Sequence, residues 1–86
     1  MNSLFVDTSG WASLFVSTQT YYPQADQYFC LALQQQKRIF TTNYVVAELV
    51  ALLNSPLRIP RLRIFEIVDA IKIVPYVEVI HIRFLA

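Results

Sequence analysis

The 86-residue chain contains one cysteine, one histidine and one glycine, and only 15% of its residues are charged. A single cysteine excludes an internal disulfide and leaves a structural zinc site without thiolate partners. Cys30 falls in an apolar helical pattern, which predicts a small core residue. His81 has nothing nearby at metal-ligand spacing and reads as an exposed strand residue. A net charge of +1 argues against binding nucleic acid through bulk charge, though not against a local basic patch. No uncharged apolar run approaches the roughly 20 residues of a membrane span. No basic stretch precedes an apolar one at the N-terminus, so no signal peptide is expected, and the cytoplasm is the expected compartment. What the chain has in excess is apolar surface: 56% of residues are hydrophobic and the mean hydropathy is +0.44. A single domain this small buries only about 60% of its unfolded surface. The composition therefore predicts an apolar face covered by a partner, or a chain that forms part of a larger domain.

The stretch Leu4-Phe5-Val6-Asp7-Thr8-Ser9 organises the rest. A short unbroken apolar run predicts a strand over 4–6 buried on both faces, as in a parallel sheet. Asp7 then stands at the strand's carboxyl end, where open α/β sheets bind ligands. An ionised carboxylate there is either part of a site or tied off by the amides of its own turn. Trp11, Leu14 and Phe15 follow at helical spacing, with Ser9 or Gly10 opening the helix. Residues 18–23 read as a loop stopped by Pro23. From Gln24, Ala25, Tyr28, Phe29, Ala32 and Leu33 mark one helix face.

A second strand is predicted over 39–42, with Thr42 or Asn43 as N-cap of a helix over 44–53. Val45, Val46, Leu49, Leu52 and Leu53 form the apolar side of that helix, and Glu48 lies at its margin. Arg58, Arg61 and Arg63 cluster around Pro60. A helical stripe of Ile64, Ile67, Val68 and Ile71 runs on to Pro75, which closes it. A third strand is predicted over 77–82. Strand, helices, strand, helices, strand predicts right-handed crossovers and a parallel sheet. Asp7 and Glu48 then fall at the same carboxyl-end edge, where their mutual repulsion favours a hard divalent ion. Mg²⁺ takes one or two carboxylates and is completed by water and substrate phosphates.

Phe5-Val6-Asp7-Thr8-Ser9 followed by Thr41-Thr42-Asn43-Tyr44-Val45-Val46-Ala47-Glu48-Leu49 resembles the PIN-domain family, in particular its VapC-like ribonuclease toxins. The resemblance implies a parallel α/β/α sandwich and a metal-dependent endoribonuclease using Mg²⁺ or Mn²⁺. Asp7 and Glu48 match the first two family acids, and Ser9 and Thr42 match supporting hydroxyl positions. It implies RNA as substrate, an antitoxin protein as partner, and self-association into a homo-oligomer. Residues 1–86 match the N-terminal two-thirds of such a domain, to just past the third strand. The family's later acids have no counterpart here, so activity of this chain alone is in doubt. The alternative is a non-catalytic interaction module that binds an antitoxin or a homologous PIN subunit. Arg58, Arg61 and Arg63 either grip RNA phosphates or form a solvated cationic loop. Tyr21, Tyr22 and Tyr44 either stack on bases or pack internally.

Overall fold

A computed structural model describes residues 3–74 and 76–83. Pro75, where the sequence places the end of the last helix, lies outside the described residues, as does Ala86. Three strands, β1 (Ser3–Phe5), β2 (Arg38–Thr42) and β3 (Val77–Ile80), alternate with helices. The first crossover holds α1 (Thr8–Phe15) and α2 (Tyr22–Gln34), the second α3 (Asn43–Asn54) and α4 (Arg61–Ile73). The strands are parallel and lie in the order β1-β2-β3. Both crossovers step the same way across the sheet, and crossovers of one hand then lie on one face.

Burial agrees with that placement. Leu4, Ile39 and Val77 are in register, as are Thr41 and Val79, and residues in register share a face. Ile39 and Thr41 are fully buried, and Leu4, Val6, Val77 and Val79 pack against the same core. Phe5, Phe40 and Glu78 form the opposite face. There Phe5 is 56% exposed and Ile80, in register with Thr42, is 42% exposed. The shortest dimension is 19 Å, the thickness of one sheet and one helical layer at about 10 Å each. So β1 is buried on one face only, unlike the two-sided strand its apolar run predicts. Its outward residue, Phe5, is simply left uncovered.

The core is built from Trp11 of α1, Ile39 of β2, Leu49 and Leu53 of α3, and Ile64, Ile67 and Ile71 of α4. The last three recur at i, i+3 and i+7, the stripe expected from the sequence. Trp11 stacks on Phe15 at 6.1 Å and meets Phe29 edge-on at 6.0 Å, which ties α2 to α1. Its indole Nε1–H donates to Thr41 Oγ1 at 3.0 Å, and the Thr41 hydroxyl donates onward to the Val6 carbonyl at 3.0 Å. Three elements thus meet at one buried hydroxyl.

Several boundaries differ from expectation for identifiable reasons. Helix α1 opens at Thr8, because Asp7 rather than Ser9 or Gly10 takes the cap position. Pro23 does not stop a loop but sits in the first turn of α2, where its missing N–H costs nothing. Cys30 is exposed. It is the residue after Phe29 on α2, one step round from the buried face of Phe29, Ala32 and Leu33. Helix α4 begins at Arg61, so Arg61 and Arg63 stand in its first turn rather than in a loop. Arg63 pairs with Glu66 at 3.6 Å. Strand β3 ends at Ile80 instead of residue 82. Beyond it, Asn43 replaces the ladder with its side chain. Its Oδ1 accepts from the Ile82 N–H at 2.8 Å, and its Nδ2–H donates to the Ile82 carbonyl at 3.2 Å.

Thr41→Val removes the shared hydroxyl and leaves the buried Trp11 indole and the part-buried Val6 carbonyl without this partner, which should cost about 1–3 kcal/mol in urea unfolding. The indole proton of Trp11 should then exchange with solvent faster. Thr41→Ser should keep that proton protected; equal exchange in both variants would show that the hydroxyl does not hold the indole.

Candidate functional site

Asp7 follows the last ladder contact of β1, in which the Val6 N–H donates to the Phe40 carbonyl at 2.9 Å. Its extended backbone, φ −91° and ψ −176°, makes it the N-cap of α1. The carboxylate Oδ1 accepts from the Gly10 N–H at 2.9 Å and from the Ser9 hydroxyl at 3.1 Å. Both bonds fall on Oδ1, and the side chain is exposed. A side chain at Gly10 would crowd this close approach. A Cβ there would lie 3.0 Å from Val6 Cγ1 and 3.3 Å from Asp7 Oδ1. Asp7 is thus tied to the amide of its own turn and also presented at the carboxyl end of the sheet. The two readings left open by the sequence are compatible in one residue.

Thr42 repeats the arrangement on the neighbouring strand. It ends β2, caps α3, and accepts from the Val45 N–H at 3.1 Å. Two helices therefore start side by side from adjacent parallel strands, with the positive ends of their dipoles at one edge. They touch where the Thr8 hydroxyl meets the Val45 carbonyl at 3.5 Å. Glu48 lies one turn further along α3 and is exposed. It flanks the buried arc of Leu49 and Leu53, and at about 1.5 Å per residue it stands roughly 8 Å up the helix from Asn43. Two carboxylates and two hydroxyls are hard oxygen donors of the kind that suits Mg²⁺ or Mn²⁺. Among the described residues, no three His, Cys, Asp or Glu side chains come together.

Arg58 is exposed, with a left-handed φ of 54°, in the segment before α4. Arg61 and Arg63 are exposed on that helix. Of the tyrosines, Tyr21 and Tyr44 are exposed and Tyr22 is half-buried. Among the described residues, no helix is long and apolar enough to cross a membrane.

No family model and no curated protein matches the chain. A solved structure does. Mycobacterium tuberculosis VapC20, a Sarcin-Ricin loop cleaving toxin, superposes with a TM-score of 0.71 at 28% identity. The fold is that of a VapC PIN-domain toxin. The match covers 94% of this chain and 58% of VapC20, so the chain spans less than two-thirds of the VapC20 chain. The parallel α/β architecture expected from the resemblance is present, with its helices on one face of the sheet.

Thr41, Trp11 and Asn43 position this edge through side-chain bonds that neither the helical spacing of Trp11 nor the motif holding Thr41 and Asn43 announces. The signal for Thr41 was available: it alternates with Ile39, so it shares a buried face and needs a buried partner. Nothing in the spacing of Asn43 foretells its two bonds to Ile82.

The contribution of the Asp7 cap can be measured on its own. Asp7→Ala should lower stability by about 1 kcal/mol through loss of the N-cap, while Asp7→Asn, which keeps the accepting oxygen, should lose less. Equal melting temperatures for wild type and Asp7→Ala would show that the cap carries no stability.

Proposed function

We propose that this chain carries the acidic edge of a PIN-type ribonuclease toxin, with Asp7 and Glu48 holding Mg²⁺ or Mn²⁺ and RNA as substrate. The observation that carries the reading is the superposition on VapC20. The placement of Asp7 at the carboxyl end of β1, beside the start of α3, supports it. When bound there, a divalent ion supplies Lewis acidity toward a phosphodiester and toward an attacking water. The chain's own contribution is positional. Ser9 and the Gly10 amide hold Asp7 Oδ1, Thr42 fixes the first turn of α3, and Thr41 holds the strand end through Val6. Arg58 and Arg61 present cations for RNA phosphates, which would make binding fall with salt.

Two carboxylates are within the range for Mg²⁺ but place it loosely, and a misplacement of about 1 Å can cost roughly 100-fold in rate. Cleavage by the isolated chain should therefore be slow. Purified protein incubated with mixed RNA and Mn²⁺ should show weak cleavage that disappears in Asp7→Ala. Rapid cleavage unaffected by that substitution would refute the assignment. Millimolar Mn²⁺ should also raise the melting temperature of the wild type by a small amount, by mass action on the folded form. Asp7→Asn and Glu48→Gln should each abolish that shift. If Mn²⁺ stabilises both variants as it does the wild type, the two acids do not share an ion.

The second reading, a module that pairs with an antitoxin or another PIN subunit, is favoured by the uncovered apolar surface of α4. Leu62 is 79%, Phe65 58% and Ile73 76% exposed. Such a patch fits self-association or an amphipathic partner.

A further inference from the structure

The cationic side chains of this chain are unequally engaged. Arg38 pairs with Glu78 and Arg63 with Glu66. Among the described residues, Lys72, His81 and Arg83 have no ion-pair partner, and all three are exposed. Lys72 does not pair even with Asp69, one turn earlier on α4. Lys72 and His81 line one cleft of about 430 Å³, together with Asn43, Val46, Val77 and Val79. Among the described residues, no carboxylate lines it. Glu78 alternates with Val77 and Val79 and so faces the other side of the sheet. Asn43 and Val46, three residues apart, turn one flank of α3 toward the cleft. Glu48, two residues beyond Val46 and about 200° further round, lies on the other flank of the buried Leu49 and Leu53. Helix α3 therefore divides the edge, with the acids on the β1 side and unpaired cations on the β3 side.

The cleft follows β3 from Val77 to His81, about 13 Å at 3.3 Å per residue, which is longer than one phosphate group. It opens at the edge that holds Asp7. Asp7 stands two residues beyond Phe5, as Thr42 stands two beyond its partner Phe40, so Asp7 is level with Thr42 and Ile80. His81 follows at once, roughly 10 Å from Asp7 across two strand spacings. Asn43 bonds both the N–H and the C=O of Ile82, which fixes the backbone between His81 and Arg83 beside the cleft. In the doubly wound order, chain leaving β3 for the far side of β1 crosses the opposite face of the sheet, so the cleft belongs to the helix face as it stands. A valine floor beneath Lys72 lowers the local dielectric and strengthens its attraction for an anion. We propose that this cleft is a phosphate subsite for the RNA strand. It rests on the ribonuclease reading above: while one phosphodiester lies at Asp7 and Glu48, Lys72 and His81 hold another of the same strand across α3.

The test uses the ¹⁵N-labelled 86-residue chain without divalent ions, so that nothing is cleaved. The ligand is an oligouridylate of about eight nucleotides. It should shift the amides of Asn43, Val46 and His81. Lys72→Gln should weaken binding severalfold and flatten the slope of log affinity against log salt by about 0.7, the loss of one phosphate contact on a single strand. His81→Ala should also weaken binding severalfold, with Trp11 fluorescence reporting that the fold persists. Lys37→Gln, an equal loss of charge between α2 and β2, should leave affinity and slope nearly unchanged. Equal weakening by Lys37→Gln and Lys72→Gln would mean attraction by net charge alone and overturns the proposal. Inorganic phosphate that reproduces the shifts at the RNA's own concentration overturns it too, making the occupant a free anion. Asp7→Asn should leave the three shifts in place, so failure of the metal assignment does not remove this result. RNA that shifts Ser9 and Gly10 but not Asn43, Val46 and His81 overturns the subsite and leaves the acidic edge standing.

Discussion

The hydroxyl of Thr41 is the point on which the rest of this structure depends. It lies at zero exposure, and a buried polar group without a partner costs about 1–3 kcal/mol. Here it satisfies two others at once, accepting from the Trp11 indole and donating to the Val6 carbonyl. The indole belongs to α1, and the carbonyl belongs to the residue just before Asp7. One side chain of the neighbouring strand therefore bonds on both sides of the acidic turn. Among the described residues, no buried side-chain polar atom lacks a partner. The low-dielectric core strengthens this connection rather than penalising it.

The one-sided sheet explains the composition. A hydrophobic fraction of 56% exceeds what one small core absorbs, and the surplus is found on identifiable surfaces. Phe5, Phe40 and Ile80 lie on the outer face of the sheet, and Leu62, Phe65 and Ile73 lie on α4. On the outer face Arg38 stacks over the Phe40 ring at 5.5 Å while pairing with Glu78. The guanidinium partly screens a ring that would otherwise meet water.

Much of this was legible in the residues. The parallel sheet followed from the alternation of apolar runs and helical stripes, and Ile64, Ile67 and Ile71 occupy the core their spacing implied. Asp7 at a strand end and Thr42 at a helix start were readable because capping chemistry is local. What escaped was set by tertiary context. Whether β1 has one covered face or two depends on which side the crossovers take, not on its own three residues. Cys30 looked internal because its neighbours are apolar, yet one residue of helical rotation, about 100°, puts it outside. Pro23 was legible as punctuation but ambiguous in sense, since proline stops one helix and starts another. How Asp7 stands to Glu48 depends on how α3 packs, which no short motif encodes.

The Thr41 bonds also bear on the order of events during folding. They join residues 30 and 35 positions apart, so the whole first crossover must be traversed before either can form. Closing a loop of that length is an entropic cost met before any contact rewards it, and such non-local topologies fold slowly. Helices α1 and α2 can flicker into being early, but the acidic turn cannot be held in place until β2 arrives. On this geometry the candidate site cannot be assembled before β2 has paired with β1.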